Sequence, residues 1–152
     1  MGHQSLVVER FHMSLLFALA FALAWAAATT VSAQSDGMEA PLTYVAGNAA
    51  KGRAIVANRQ QSLCLLCHSG PFADAQLQGN IASNLTGAGG RWTAGQLRLR
   101  IVDAKQLNPN SIMPAMHKLE GLQNVNRAWR DKPVLDAQQV EDVVAFLLTL
   151  RD

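Results

Sequence analysis

Downstream of a polar stretch, apolar and polar positions begin to alternate with a helical period at Ala49. Ala50, Ala54, Ile55 and Ala57 supply small apolar contacts and predict a first helix over Ala49 to Arg59. A second pattern opens at Thr93, where a hydroxyl followed three residues later by Gln96 makes a capping box. The next stretch, Leu97-Arg98-Leu99-Arg100-Ile101-Val102, alternates strictly and on that ground alone also fits a strand. Leu97, Ile101 and Ala104 share one helical face, and the capping box decides for a helix that Asn108-Pro109 ends. Asp136, with Gln139 at the third position, caps a final helix in which Val140, Val143, Val144, Leu147 and Leu150 recur at helical spacing. Between these elements, Gln76 to Arg91 is rich in Gly, Asn and Ser and reads as loop. A longer connection, broken by Pro114 and Gly121, runs to Pro133. The pattern predicts an all-α fold with one domain over 49–152.

The first residues follow a different rule. Arg10 and His12 precede an apolar run from Ser14 to Trp25, closed by Val31-Ser32-Ala33. That is the order of a cleaved signal peptide, predicted here over 1–33; as a retained membrane anchor the run would be near the lower length limit. No twin-arginine pair is present, so export unfolded to the periplasm is expected, with no membrane span after cleavage. The mature chain would begin at Gln34 with a loose tail over 34–48.

Composition sharpens this in two ways. The net charge of +2 is spread over scattered basic residues, which gives no nucleic-acid footprint. Aromatic residues make up 6%, and three of the five Phe (Phe11, Phe17, Phe21) fall in the leader. The domain is left short of large rings, and a bound porphyrin would fill that volume.

Cys64-Leu65-Leu66-Cys67-His68 has the C-x-x-C-H spacing of covalent haem attachment. On a helical turn, residues three apart share a face, so Cys64 and Cys67 reach the two vinyl groups along one edge of the ring. His68 then swings beneath the iron as its proximal axial ligand. An exported disulfide of the thioredoxin kind would need a strand leading into the motif, and Gln60-Gln61-Ser62 is not one. A zinc cage wants four ligands, whereas the mature chain has two Cys and two His, His68 and His117. One covalent haem c per chain is the expectation.

The sixth iron position has three candidates, Met113, Met116 and His117, all within Ser111-Ile112-Met113-Pro114-Ala115-Met116-His117. A thioether raises the reduction potential and a second His lowers it. Met113 is held by the rigid Pro114. Arg91, after a Gly-rich loop, is a candidate partner for a haem propionate.

Asn84-Leu85-Thr86-Gly87 leading to Gly90-Arg91 resembles the loop that follows the haem motif in class I cytochromes c. Longer blocks resemble the SoxX subunits of the SoxAX sulfur-oxidation cytochromes: Gly52 to Arg59, Gln78-Gly79-Asn80-Ile81, Gln96 to Asp103, Leu107-Asn108-Pro109, Ile112-Met113-Pro114 and Val140 to Leu147. The resemblance covers the chain from Tyr44 onward. It implies a class I cytochrome c-like domain wrapped around one covalent haem, His/Met ligation by His68 and Met113, and first and last helices in close contact, here at Gly52 and Phe146. Two positions depart from the family. Ser83 stands where a Pro usually precedes the loop, its carbonyl still able to orient the axial His, and Met116 stands where a Tyr is common.

The resemblance also implies partners: a SoxA-type cytochrome in a heterodimer, a SoxY-type sulfur carrier met transiently, and a small cytochrome c as electron acceptor. In such complexes an L-cysteine S-thiosulfotransferase couples thiosulfate oxidatively to a carrier cysteine. Both cysteines of this chain would be consumed as thioethers, which leaves no thiolate to attack sulfur. The expected role is therefore electron transfer, with no catalytic residue of its own. A free-standing periplasmic electron shuttle is the alternative. A haem enzyme with an open coordination site, such as a peroxidase, is a third reading. Arg98, Arg100 and Lys105 would form either a basic steering face or the wet side of a helix.

Overall fold

The computed structural model describes residues 36–151; the predicted signal segment, 1–33, lies outside them. The described residues form five α-helical segments and no strand. They are α1 (Ala49–Ala57), α2 (Cys64–Cys67), α3 (Ala88–Arg91), α4 (Ala94–Asp103) and α5 (Ala137–Thr149), with three short 3₁₀ turns between them. Among the described residues no helix is long and apolar enough to cross a membrane.

Both expected capping boxes are built. Thr93 and Gln96 exchange side-chain-to-backbone bonds at the start of α4, and Asp136 and Gln139 do the same at α5. Each box satisfies two of the amide donors that a helix start leaves without partners. Asn48 caps α1, which ends two residues before the expected Arg59: the Asn58 amide turns back to the Ala54 and Ile55 carbonyls. The strict alternation of 97–102 resolves as helix, and it buries both apolar and charged positions: Leu97, Arg98, Leu99, Ile101 and Val102 are all buried.

The core forms where α5 lies across α1 and α4. Val140, Val143, Val144, Phe146 and Leu147 of α5 meet Ile55 and Val56 of α1 and Leu97, Ile101 and Val102 of α4. The α1–α5 crossing depends on Gly52. A Cβ there would stand 2.8 Å from that of Phe146 and would run into the Asp142 carbonyl, so only a residue without a side chain lets the backbones approach this closely.

Two segments differ from their sequence readings. The expected loose tail is, from Asp36 onward, a fixed arm. Arg98 and Glu141, both buried, pair through Nε–Oε1 at 2.7 Å and Nη2–Oε2 at 2.9 Å. Arg98 Nη1 also donates to the Met38 carbonyl at 2.5 Å, and Glu141 Oε1 accepts from the Leu42 amide at 2.9 Å. The Asn48 amide donates to Asp142 Oδ1 at 2.8 Å. The arm's Met38 and Leu42 pack against the core, and its hydrogen-bond partners lie about sixty to a hundred residues on. Within the expected loop of 76–91, Ala88–Arg91 closes a helical turn, because the Gly89 amide docks on the Leu150 carbonyl at 2.7 Å.

Candidate functional site

The haem-type motif is positioned from both sides. Upstream, Ser62 is fully buried and its hydroxyl donates to the Ile55 carbonyl at 2.8 Å, tying the motif to α1. Leu63 then takes a left-handed backbone (φ 59°), an uncommon state for a branched side chain, and turns the chain into α2. Downstream, the loop from Gly79 runs back along the motif. The Gly79 amide donates to Leu65, Ala82 to Cys67 and Leu85 to Ser69, at 2.9, 3.0 and 2.8 Å. A Cβ on Gly79 would stand 2.8 Å from the Cys67 carbonyl carbon, so glycine sets how close this loop lies.

That loop delivers the Ser83 carbonyl to His68, whose Nδ1 donates to it at 2.6 Å. The bond fixes the ring and leaves Nε2 free to bind a metal, which is the usual outer-shell device for an axial or ligating histidine. The backbone carbonyl does this without a proline. Both cysteines are free and half-buried. Burial pushes the Cys64 thiol up from its ordinary value, more than the Ser62 contact lowers it. Such a thiol stays protonated near neutrality and is a poor nucleophile or redox partner.

Cys64, Cys67 and His68 line one side of an almost wholly apolar cleft of about 910 Å³, counting space open to solvent. Its walls include Val56, Ile101, Leu135, Val143 and Leu147, and Met113, Pro114 and Met116 line it as well. Met113 is placed by its amide, which donates to Ser111 Oγ at 3.2 Å. The following residues lie along the end of α4, where the last carbonyls lack helical partners. Met116 donates to the Ile101 carbonyl at 3.1 Å and receives the Leu135 amide at 2.8 Å. His117 does not line the cleft; its Nδ1 engages the Leu135 carbonyl at 2.9 Å.

A second cavity, of about 1120 Å³ counting space open to solvent, adjoins the first through shared walls that include His68, Ile101 and Met113. Arg91 lines it, but two of its N–H groups brace the loop, donating to Thr86 and Asn84 carbonyls at 2.6 and 2.8 Å. Arg100 lines it too, a residue first read only as part of a basic face. Arg98, from the same reading, is buried in its ion pair. Among the described residues no three His, Cys, Asp or Glu side chains come together as a metal cage.

No protein-family model matches the chain, and no curated protein does. Among solved structures, a chain of the crystal structure of SoxXA from P. pantotrophus is 38% identical. The match covers 77% of this chain and 91% of that one, with a TM-score of 0.70. This chain belongs to the SoxX family. Its strand-free helical architecture is the cytochrome c-like fold of that family. The SoxX assignment was reachable from the Leu-Arg-Leu-Arg and Met-Pro blocks; the loop approach at Gly79 and the arm clamp had no local signal.

Proposed function

We propose that this SoxX chain is the mono-haem electron-transfer subunit of a SoxAX-type complex in the periplasm. In this reading it takes up and relays electrons released when thiosulfate is joined to a carrier-protein cysteine. The observation that carries it is the convergence of two free thiols, a histidine with Nε2 unengaged and a methionine on one apolar cleft. A haem c bound there would supply reversible one-electron chemistry.

The chain's own residues divide the work. Cys64 and Cys67 would hold the haem as thioethers, and His68 Nε2 would bind the iron, its ring oriented by the Ser83 carbonyl. Met113, on the same cleft, would supply a thioether to the iron. Met116 is pinned at both its amide and its carbonyl, and His117 is turned to Leu135, so Met113 is the freest of the three candidates. The apolar walls exclude water and favour the reduced, less charged state.

The neighbour's crystal structure is of the complex SoxXA, which supports a SoxA-type partner here. A SoxY-type carrier and a small cytochrome acceptor complete the proposed circuit.

The test is expression in a host that matures c-type cytochromes. The expected product begins at Gln34, shows a one-haem pyridine haemochrome spectrum and captures a SoxA-type subunit. Met113→Ala should abolish the thioether-to-iron absorption band and leave the iron open to carbon monoxide. A colourless wild-type protein with both thiols titratable would end the proposal.

A further inference from the structure

The two adjoining cavities differ in character. The one bearing Cys64 and Cys67 is almost wholly apolar. The other adds Arg91, Arg100, Asn108 and Ser111 to its walls and contains neither cysteine. A porphyrin has the same polarity, with apolar vinyl groups along one edge and two carboxylates along the opposite edge. Thiols at one end therefore call for cations at the other.

Arg100 is built for that position. Its guanidinium lies over the Trp92 ring, 3.7 Å from the centroid, and Nη1 donates to the Gln96 carbonyl at 2.9 Å. Stacking and a backbone bond hold the plane rigid while leaving several N–H donors for a ligand. The side chain is half-buried, yet among the described residues no carboxylate forms an ion pair with it. The ion pairs among them are Arg98–Glu141 and Lys118–Asp103. A cation withdrawn from water without a counter-ion is costly unless a ligand supplies one. Arg91, by contrast, already spends donors on the Asn84 and Thr86 carbonyls and so braces the loop that carries Ser83.

We infer that Arg100, held flat on Trp92, is the main protein cation for the carboxylates of the bound tetrapyrrole. The inference rests on the haem reading above. It assigns Arg100 a positioning and charge-balancing role at the cofactor's polar edge and makes Arg91 chiefly a brace of the loop.

The test uses the full haem-loaded chain, with Arg100→Gln and Arg100→Lys. Two readouts are followed: the propionate bending bands in resonance Raman spectra, and the ratio of reduced to oxidised protein at a fixed ambient potential. Removing a cation near the iron favours the oxidised state, so Arg100→Gln should lower that ratio by about three- to tenfold at an effective dielectric near 20. The bending bands should move with it. Arg100→Lys keeps the charge but loses the planar fork; it should hold the ratio within about twofold while still moving the bands.

Unmoved bands in Arg100→Gln, with an intact haem spectrum, overturn the inference. If that variant fails to mature, unmoved bands in Arg100→Lys do the same. A wild-type protein whose ratio responds to added thiosulfate, with bands indifferent to Arg100, would mark a free-anion site and also overturn it. A wild type without haem would sink the functional reading itself, which is a separate and visible failure.

Discussion

The α1–α5 crossing and the cleft beside it are built from the same helices and solve opposite problems. At the crossing, chain covers chain: Gly52 lets the backbones meet, Val140 is fully buried, and the Phe72 and Phe146 rings pack edge to face at 5.7 Å. At the cleft, Val143 and Leu147 of the same helix turn toward a space that the chain itself leaves open. The lesson is that one helix carries both a closed packing face and a face that lines an apolar cleft. Stability should therefore respond steeply to change at the crossing and its clamp, and weakly to change along the cleft's rim.

The largest effect is expected at the clamp. Glu141→Gln leaves the buried Arg98 guanidinium without its counter-charge and should cost about 3–5 kcal/mol in denaturant unfolding. The pH dependence carries a definite sign. Burial pushes the Glu141 carboxyl up, but the Arg98 and Leu42 hydrogen bonds and the guanidinium charge outweigh it and hold it below its ordinary 4.5. Its contribution is thus fully present above about pH 4.5 and fades as pH falls through the lower folded value. Asp103, paired with Lys118 at 2.7 Å, is also held low and adds an acid limb of the same sign. The difference between wild-type and Glu141→Gln curves isolates the clamp. A flat difference between pH 3 and pH 6, on the order of the carboxylate range, would argue that the pair contributes nothing by ionisation.

Gly52→Ala comes next. The added methyl meets the Asp142 backbone and the Phe146 Cβ, neither of which is a flexible tip, so about 1–3 kcal/mol should be lost. A neutral outcome would mean that the crossing is looser than the packing shows. Asp136→Ala removes the cap of α5, the helix common to both regions, and should lower the melting midpoint by an amount equivalent to about 1 kcal/mol. The smallest effect is expected on the rim. Ile112 is 76% exposed, so Ile112→Ser should leave unfolding within about 0.5 kcal/mol of wild type.

The sequence readings succeeded where the cause was local. Capping boxes at Thr93 and Asp136, the apolar period of α5 and the C-x-x-C-H spacing each fit within a turn or two of helix, and each appears in the structure as a local geometry. The strand-like alternation of 97–102 misled only in appearance. Its arginines are not a solvent face: Arg98 is buried on Glu141, and Arg100 is stacked on Trp92. No window of a few residues contains those partners. The part of the tail from Asp36 to Asn48 was misread for the same reason, since its anchors at Arg98, Glu141 and Asp142 are distant in the chain.

The sequence by itself determined the three longer helices and their starts, because hydrogen-bond closure within a helix and side-chain periodicity act over neighbouring residues. Tertiary structure alone decided that Arg98 is buried against Glu141, that the segment from Asp36 is held as an arm and that Arg100 stacks on Trp92 beside the second cavity. Those outcomes depend on which surfaces of distant segments can be buried together without stranding a charge or a backbone group. That balance is struck only when the whole chain has packed.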